Sequence, residues 1–450
     1  MRAHRAGELV RAAGLYRAVL SLAPTHFGAA HMLGVVRLQQ GNTAEAERQL
    51  RRALQLDPYA ADVLNHLGMA LRDLDRLDEA VDAYDRAIAL RPNYAEAFCN
   101  RGNALRLSGK QAVALESYNR AIQLKPGYAD AYYNRGALLE EMERWDDAVA
   151  AYEMALALNP DFLQALNNLG NALRAVCRYE EALAAYDRAV AIAPGYAEAL
   201  TNRGNVLRDL NRLEEALASH ERALSLKPDL AEAFNNRGSV YHVMRRFEEA
   251  KCDYRRALTF APRHVEARAS LGLTHLLLGE WSDGWEHYEL RFRKRHNAAR
   301  RPNHPAPEWM GEDLAGKRIL LFGEQGFGDM IQFIRFVPLM RQRGTQVTVA
   351  VPRRLHRLLS TVASDCEFVD RVTPGMSFDF QIALMSLPRV LEIVPDAVPN
   401  ATPYLFPDAR RSEIWRARLG EGGFKVGIAW QGNPAGSVDH GRSIPLREFA

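Results

Sequence analysis

The sequence predicts an α-solenoid of stacked helix pairs followed by an α/β lobe, and two patterns lead to this fold class. Glycine, alanine, aromatic and proline residues recur every 34 residues through the first two thirds of the 450-residue chain. Near residue 298 this period ends, and short β-branched runs alternate with helical segments from residue 316 onwards. A constant period of about 20–50 residues is the signature of repeat architectures, whereas alternating strands and helices are typical of a parallel sheet. Two separately folded regions are therefore expected.

The 34-residue period indicates two helices in each unit. Glycine on the first helix lets its partner cross closely, alanine on the second helix faces a neighbour, and an aromatic ring fills the space between them. Proline ends the second helix, because its ring cannot continue a helix beyond the first turn. The recurring residues are the prolines from Pro24 to Pro262, the glycines from Gly34 to Gly272, the alanines from Ala46 to Ala250 and from Ala53 to Ala257, and Tyr84, Tyr118, Tyr152, Tyr186 and Tyr254, with His220 at the remaining aromatic position.

These residues resemble the tetratricopeptide repeat (TPR), in which each unit buries its apolar face by stacking on its neighbours. The resemblance implies a solenoid over residues 1–298. Residues 1–26 read as a repeat that lacks most of its first helix, and residues 265–298 read as a degenerate repeat that caps the array. Full repeats are expected at residues 27–60, 61–94, 95–128, 129–162, 163–196, 197–230 and 231–264.

One face of the predicted first helices carries polar side chains at fixed positions, counted from the first residue of each repeat. Spacings of three residues place positions 6, 9 and 12 on one stripe. A row of asparagine amides can hold the main chain of an extended peptide, and arginines add a preference for carboxylate or phosphate groups. The stripe consists of Asn100, Asn134, Asn168, Asn202 and Asn236 at position 6, Asn103, Asn171 and Asn205 at position 9, and Arg72, Arg106, Arg174 and Arg208 at position 12.

This stripe is similar to the asparagine ladder of the TPR arm in protein O-GlcNAc transferases, which implies a groove for a protein or peptide partner. An alternative is that the position-6 asparagines only bond to neighbouring helices within the stack. The basic run at residues 291–301 is expected to be a solvated end of the solenoid, so nucleic acid is not an expected partner.

A proline-rich linker at residues 299–315, with Pro302, Pro305 and Pro307, precedes the lobe at residues 316–420. Because strands and helices alternate there, the lobe is predicted to be Rossmann-like with a parallel sheet. Strands are expected at residues 317–323, 346–351, 366–370 and 378–384, and helices at residues 329–344 and 353–360.

The first of these strands runs into a glycine-rich turn, GEQGFGD at residues 323–329. Such turns point backbone N–H groups at anions, although they also occur for packing reasons. With the strings PEWMGEDLAGKRILLFGEQGFGDMIQFIRFVPL, SLP, PYLFP and VGIAWQGN…DHGRSIPL, the region resembles heptosyltransferase-like glycosyltransferases of GT-B fold. The resemblance implies that Asp329 is the base that deprotonates an acceptor hydroxyl, with Glu324 as a second candidate and Gly326 and Gly328 beside the donor phosphates. Helix capping alone would also explain Asp329.

Residues 421–450 read as the start of the second GT-B lobe, which the resemblance implies holds a nucleotide-sugar diphosphate. The expected donor-binding residues are Gly432, Asn433, Arg442 and Ser443, with a surface loop as the alternative. Residues 316–450 contain no D-x-D motif, and the resemblance implies no metal and no cofactor besides the nucleotide-sugar donor substrate. Since this lobe has barely begun where the sequence stops, we expect either a piece of a longer protein or a degenerated catalytic half, without efficient sugar transfer by these 450 residues.

Composition and charge exclude several classes of protein. The chain is 48% apolar and 25% charged, as in ordinary folded proteins, and 58 basic against 55 acidic residues leave a net charge of only +3. The four cysteines lie far apart, which argues against a zinc site or a disulfide framework. No signal peptide and no apolar run of 18 residues is visible, so a soluble cytoplasmic protein without a membrane span is expected.

The predicted function is a TPR protein-binding scaffold coupled to a glycosyltransferase-like domain. In a longer protein, that domain would transfer sugar from a nucleotide-sugar to a protein or glycan acceptor. The alternative is a non-catalytic scaffold for protein–protein interaction.

Overall fold

The computed structural model describes residues 2–293, 301–324, 326–400 and 403–420. Residue contacts divide the chain into two compact units, Met1–Leu278 and Gly279–Ala450. This division lies before residue 298, where the 34-residue period suggested the end of the solenoid. The helix that follows Gly279 accordingly belongs to the second unit.

The first unit consists of helices arranged in successive pairs, which confirms the predicted helical solenoid. From α3 to α16, helices of 13 residues alternate with helices of 14 residues. The helices are Arg2–Arg5 (α1), Leu9–Leu22 (α2), Phe27–Gln39 (α3), Thr43–Leu56 (α4), Ala61–Asp73 (α5), Leu77–Leu90 (α6), Ala95–Leu107 (α7), Gln111–Leu124 (α8), Ala129–Glu141 (α9), Trp145–Leu158 (α10), Leu163–Ala175 (α11), Tyr179–Ile192 (α12), Ala197–Asp209 (α13), Leu213–Leu226 (α14), Ala231–Val243 (α15), Phe247–Phe260 (α16) and Val265–Leu277 (α17).

The recurring alanines and aromatic residues of the period form the core of the solenoid, whereas the recurring prolines are exposed. In five repeats the tyrosine of the second helix lies against the glycine of the first helix, as Tyr118 does against Gly102. A Cβ atom built on Gly102 would lie 2.6 Å from Cε1 of Tyr118, so a larger residue does not fit there. The five tyrosines of this row are at most 1% exposed, and so is His220, which takes the sixth place. Close helix crossing over an aromatic ring is therefore what the glycine row provides.

The connection inside each helix pair requires a left-handed backbone at one residue. Glycine fills this place at Gly41, Gly109 and Gly279, where φ is 72°, 74° and 79°. Five other residues adopt the same conformation without being glycine, at a cost in backbone strain. They are Asp75, Glu143, Cys177, Asn211 and Arg245, with φ between 58° and 60°.

The second unit contains a small parallel sheet with short helices around it. The strands are Arg318–Phe322 (β1), Gln346–Ala350 (β2), Glu367–Val369 (β3) and Phe380–Ala383 (β4), in the spatial order β3-β2-β1-β4. The helices are Trp281–Tyr288 (α18), Phe327–Phe333 (α19), Val337–Arg341 (α20), Arg353–Leu359 (α21), Leu387–Val390 (α22) and Ala409–Leu419 (α23).

The four strands lie inside the four segments predicted to be strands, and all their pairings are parallel. The central strand β1 is covered on both faces, since Ile319, Leu320 and Leu321 are fully buried. Its carboxyl end leads into the glycine-rich turn. Ligands of open α/β sheets bind at this edge, so the turn lies where a site is expected.

The single helix predicted at residues 329–344 is wrong, because the structure breaks it into α19, a 3₁₀ turn at Ile334–Phe336 and α20. Pro338 lies in the first turn of α20. Proline lacks a backbone N–H and disfavours helical geometry at the residue before it, so the chain restarts a helix here.

Candidate functional site

A row of side-chain hydrogen bonds links the first helices of consecutive repeats. In each bond, the amide at position 6 donates to the side chain at position 5 of the preceding repeat, and we call such a bond a rung. The rungs join Asn100 Nδ2 to Asn65 Oδ1 (3.0 Å), Asn134 Nδ2 to Cys99 Sγ (3.4 Å), Asn168 Nδ2 to the Tyr133 hydroxyl (3.4 Å) and Asn202 Nδ2 to Asn167 Oδ1 (3.0 Å). These four asparagines therefore do bond to neighbouring helices, as the alternative interpretation expected, and they remain half-buried rather than fully covered.

The row of rungs ends before Asn236. This residue is only 6% exposed, and its amide donates to Glu232 Oε1 in its own helix at 3.3 Å. The residue that would accept a rung is Thr201, whose hydroxyl donates to the carbonyl of Ala197 at 2.9 Å. Asn236 thus does not present its amide in the way the other four do, although it shares their position in the repeat.

A rung of histidines precedes the asparagine rungs and was not recognised in the sequence. His31 Nε2 lies 3.1 Å from His66 Nδ1, at the same two repeat positions. Burial lowers the pKa of His31 to about 4 and also lowers the pKa of His66. Between two neutral imidazoles, the N–H of one ring can donate a hydrogen bond to the unprotonated nitrogen of the other. The sequence signal that was missed is at position 5 of the repeats, one residue before the asparagines. The residue type at position 5 differs between repeats, but each of these side chains can accept a hydrogen bond.

The position-9 asparagines serve the tyrosine row. Asn103 Oδ1 accepts from the Tyr118 hydroxyl at 2.7 Å, and Asn171 Oδ1 accepts from the Tyr186 hydroxyl at 2.6 Å. These contacts fix the orientation of the two amides and occupy one lone pair of each oxygen.

The repeat that contains His220 departs from this arrangement. Among the described residues, neither ring nitrogen of His220 has a hydrogen-bond partner, and neither does the buried Oδ1 of Asn205. Burial lowers the pKa of His220 to about 3, so the ring is neutral in the folded protein. A buried polar group without a hydrogen-bond partner lowers the stability of the folded protein. This repeat therefore contributes less to stability than the repeats in which a tyrosine hydroxyl donates to an asparagine.

The position-12 arginines already contact carboxylates of the solenoid. All four pairs lie at the carboxyl ends of first helices, where the side chains remain partly exposed. The distances are 2.7 Å for Arg72 to Asp73, 3.8 Å for Arg106 to Glu141, 2.6 Å for Arg174 to Asp209 and 2.9 Å for Arg208 to Asp209. Arg174 and Arg208 therefore share a single carboxylate.

A cavity of about 210 Å³ lies at the C-terminal end of this surface. Its walls combine polar groups with apolar side chains, two of which are strongly exposed: Val243 by 52% and Leu273 by 42%. The residues that line it are Arg208, Ser239, His242, Val243, Tyr254, Ser270 and Leu273.

In the second unit, Glu324 belongs to a buried cluster of charged and polar groups. Its Oε1 accepts from Arg291 Nη2 at 2.8 Å, and the two residues are 1% and 2% exposed. Arg291 also contacts Glu289 Oε1 at 2.9 Å and Ser386 Oγ at 2.8 Å. Burial raises the pKa of the Glu324 carboxyl, and the Arg291 guanidinium acts in the opposite direction. The expectation that the run beginning at Arg291 is solvated is wrong for this arginine.

Asp329 lies at the third position of α19 and accepts the backbone N–H of Gly326 with its Oδ2, at 3.0 Å. This contact satisfies a free N–H at the start of the helix, but Asp329 makes it from the third helical position, because the N-cap is Gly326 and not Asp329. The side chain remains half-buried, and Gly326 and Gly328 are exposed. The predicted donor-binding residues Gly432, Asn433, Arg442 and Ser443 lie outside the described residues.

Comparison with known proteins identifies the repeats of the first unit. Family models described as tetratricopeptide repeat or TPR repeat match residues 31–95, 102–143, 129–162, 161–229 and 201–262. The first unit is a TPR array. Together with the helix pairs described above, these matches support a protein-interaction scaffold.

Individual relatives share parts of the TPR array. Protein FlbA of Caulobacter vibrioides is 32% identical over 176 residues, which cover 35% of this chain and 30% of that protein. The solved structure of YrrB, described as a TPR protein with an unusual peptide-binding site, is 27% identical over 42% of this chain and 96% of its own, with a TM-score of 0.37. MamA is 26% identical over 38% of this chain and 94% of its own, with a TM-score of 0.34.

The described part of the chain was searched for a metal site and for a membrane-spanning helix. No group of three His, Cys, Asp or Glu side chains is placed to hold a metal ion. No described helix is long and apolar enough to cross a bilayer.

Proposed function

We propose that the first-helix face of the TPR array, formed by positions 5, 6, 9 and 12 of the repeats, binds an extended segment of a partner protein. The observation that carries this proposal is the row of rungs. Each rung fixes a half-buried carboxamide by one hydrogen bond, and the same arrangement recurs in four consecutive repeats. Groups held in place before a ligand arrives lose less entropy on binding, which favours recognition.

The rung amides retain hydrogen-bonding capacity after the rung has formed. A carboxamide has two N–H donors and an oxygen with two lone pairs. The rung of Asn100, for example, uses one N–H, and its other N–H and its Oδ1 have no partner among the described residues, so both can serve a ligand. The main chain of an extended peptide offers alternating C=O and N–H groups, which match such a row without regard to peptide sequence.

The experiment compares two triple variants that break the same three rungs. One variant replaces the position-6 residues Asn100, Asn134 and Asn202 by Ala, and the other replaces their acceptors Asn65, Cys99 and Asn167 by Ala. Affinity is measured by fluorescence anisotropy for peptides selected on the 450-residue protein from a phage-displayed library of random 12-residue peptides.

If the amides contact the peptide, the position-6 variant loses affinity by about tenfold or more. This corresponds to three lost hydrogen bonds worth about 0.5–1.5 kcal/mol each. The acceptor variant keeps the amides and loses much less affinity. Equal losses in both variants, at unchanged helical circular dichroism, would show that the asparagines only join the repeats.

A second proposed function concerns the second unit and applies to a longer chain with a complete second lobe. There, we propose sugar transfer from a nucleotide-sugar to a protein or glycan acceptor by a Rossmann-like GT-B lobe. The supporting observation is the position of Gly326 and Gly328, two exposed glycines that follow the carboxyl end of the central parallel strand β1. Asp329 is the proposed base, and its bond to Gly326 would then orient the carboxylate.

Replacement of Asp329 by Asn and by Ala separates catalysis from capping in such a chain. Asn keeps an oxygen for the Gly326 N–H, so a capping role predicts near-normal turnover. A base role predicts that turnover with Asn falls by about 10²–10⁴-fold at an unchanged melting temperature. Normal turnover of the Asn variant would leave Asp329 as a structural residue only.

The rival proposal is a scaffold without catalysis, which needs only the TPR array. Both proposals place the protein in the cytoplasm, on the ground that Cys99, Cys177, Cys252 and Cys366 are all unpaired. A chain extended by the second lobe that hydrolyses or transfers no nucleotide-sugar, yet binds peptides, would favour the scaffold.

A further inference from the structure

We infer that the C-terminal end of the first-helix face selects peptides in which an acidic side chain lies next to a large apolar one. This inference rests on the proposed peptide binding and states which peptide sequences the face prefers. The recognising groups are Arg208 and the cavity of about 210 Å³ that Arg208 helps to line.

The charge along the face changes sign between its two halves. In the repeats from residue 61 to 162, positions 12 and 13 carry two arginines against three carboxylates, a formal charge of −1. In the repeats from residue 163 to 230, they carry two arginines against one carboxylate, a formal charge of +1. The first set is Arg72, Asp73, Arg106, Glu140 and Glu141, and the second set is Arg174, Arg208 and Asp209.

The excess positive charge lies on the two arginines that share Asp209. The side chains of Arg174 and Arg208 are 37% and 24% exposed, while that of Asp209 is 19% exposed. One carboxylate cannot neutralise two guanidinium groups, and guanidinium N–H groups remain for a second acceptor. A carboxylate of a partner would complete the pairing, since Arg binds carboxylates through charge-assisted hydrogen bonds.

The adjacent cavity supplies an apolar contact. Its volume is below the ~300–1,000 Å³ of sites for whole small molecules, so it fits a single side chain of a longer ligand. Val243 and Leu273 expose about half of their surface at its rim. Covering them with an apolar side chain is favourable, because apolar surface leaves water.

His242 does not add charge to this cavity at neutral pH. The Thr274 hydroxyl donates to the carbonyl of Ser270 at 2.8 Å, so its oxygen accepts from His242 Nδ1 at 3.1 Å. The proton therefore lies on Nδ1, and burial lowers the pKa of the ring. Arg208 is then the charged group of the cavity, and it selects an acid close to the apolar anchor.

Selection from a phage-displayed library of random 12-residue peptides tests this specificity on the full 450-residue chain. Wild-type protein is expected to enrich adjacent pairs of Asp or Glu with Leu, Ile, Met or Phe several-fold over the input library. Arg208→Gln removes the acidic bias and keeps the apolar bias, whereas Leu273→Ser does the reverse. Arg86→Gln, at an exposed position of the second helix α6 and outside the first-helix face, is the matched control, and it keeps both.

The outcomes separate this inference from the proposal on which it rests. Enriched peptides without an acidic–apolar pair, or an acidic bias that survives Arg208→Gln, would overturn the specificity and leave peptide binding intact. If the wild-type protein enriches no peptide at all, peptide binding itself fails. For the selected peptides, loss of the Arg208 contact should raise the dissociation constant about tenfold or more.

Discussion

The TPR array and the second unit use polar side chains in opposite ways. In the array, amides form rungs between residues 35 apart, and the same weak, half-exposed bond recurs from repeat to repeat. In the second unit, Arg291 forms one buried cluster with Glu324 and Ser386, which lie 33 and 95 residues away in the chain. Stability is thus distributed over many equivalent contacts in the first case and concentrated in a few in the second.

The difference predicts how each region responds to a single substitution. Loss of one rung removes a hydrogen bond worth about 0.5–1.5 kcal/mol, and neighbouring repeats keep theirs. Loss of one partner of a buried ion pair leaves the other charge without compensation, which costs about 3–5 kcal/mol. Three substitutions test this difference between the two regions.

The largest effect is expected from Arg291→Met. The substitution removes the guanidinium partner of the buried Glu324, so the free energy of opening of the parallel sheet should fall by about 3–5 kcal/mol. Hydrogen exchange of the amides in β1 and β4, followed by mass spectrometry, measures this local opening.

Lys317→Met is the matched control in the same unit. Lys317 lies 3.9 Å from Asp379, but both side chains are about half exposed. Such pairs contribute about 0–1 kcal/mol, so exchange in the control should resemble that of the wild type. Similar acceleration in both variants would contradict a special role for the buried cluster.

The period alone predicts much of the TPR array. Positions defined by residue identity, such as Gly102 and Tyr118, recur often enough to show which residues meet. The rung acceptors were missed because position 5 is filled by His, Asn, Cys, Tyr and Asn in successive repeats, so only their shared ability to accept a hydrogen bond recurs.

The second unit was predictable at the level of its strands but not of its polar contacts. Hydrophobic runs identify β1 to β4, because buried strands need them. Nothing in the local sequence relates Arg291 to Ser386, since their contact depends on how distant segments fold together. For the same reason the contact of Glu324, the second candidate base, with Arg291 could not be predicted from the sequence.

The next effect in size is expected from Gly102→Ala in α7. A new Cβ would lie 2.6 Å from the buried ring of Tyr118, so overpacking should lower the free energy of unfolding of the array by about 1–3 kcal/mol. Gly14→Ala in α2 is the control, because among the described residues no heavy atom outside the neighbouring backbone of α2 lies within 4 Å of the new methyl group. There alanine should stabilise the helix by about 0.5–1 kcal/mol. Opposite shifts in urea unfolding test the assignment, and equal shifts would contradict it.

The smallest effect, and the most specific, is expected from His220→Tyr. The tyrosine hydroxyl can donate to Asn205 Oδ1, as that of Tyr118 does to Asn103, and so satisfies an oxygen that has no partner among the described residues. A stabilisation of about 1 kcal/mol at neutral pH is expected in urea unfolding. His220→Phe is the matched control, since it fills the same space without the hydroxyl.

The pH dependence distinguishes the titrating ring from its packing. In the unfolded chain His220 titrates near 6.5, whereas in the folded protein burial lowers its pKa to about 3. Between these values the unfolded state binds more protons than the folded state, so the free energy of unfolding falls as the pH falls. By pH 5.5 the free energy of unfolding of the wild type should fall by about 1.4 kcal/mol, a loss that neither variant shows, because Tyr and Phe bind no proton there.

The difference in unfolding free energy between the wild type and either variant should therefore widen on acidification, while the difference between the Tyr and Phe variants stays constant. If the Tyr and Phe variants had the same free energy of unfolding at every pH, the hydroxyl would form no stabilising hydrogen bond with Asn205. Only the protonation of the histidine would then distinguish the stability of this repeat from that of its neighbours.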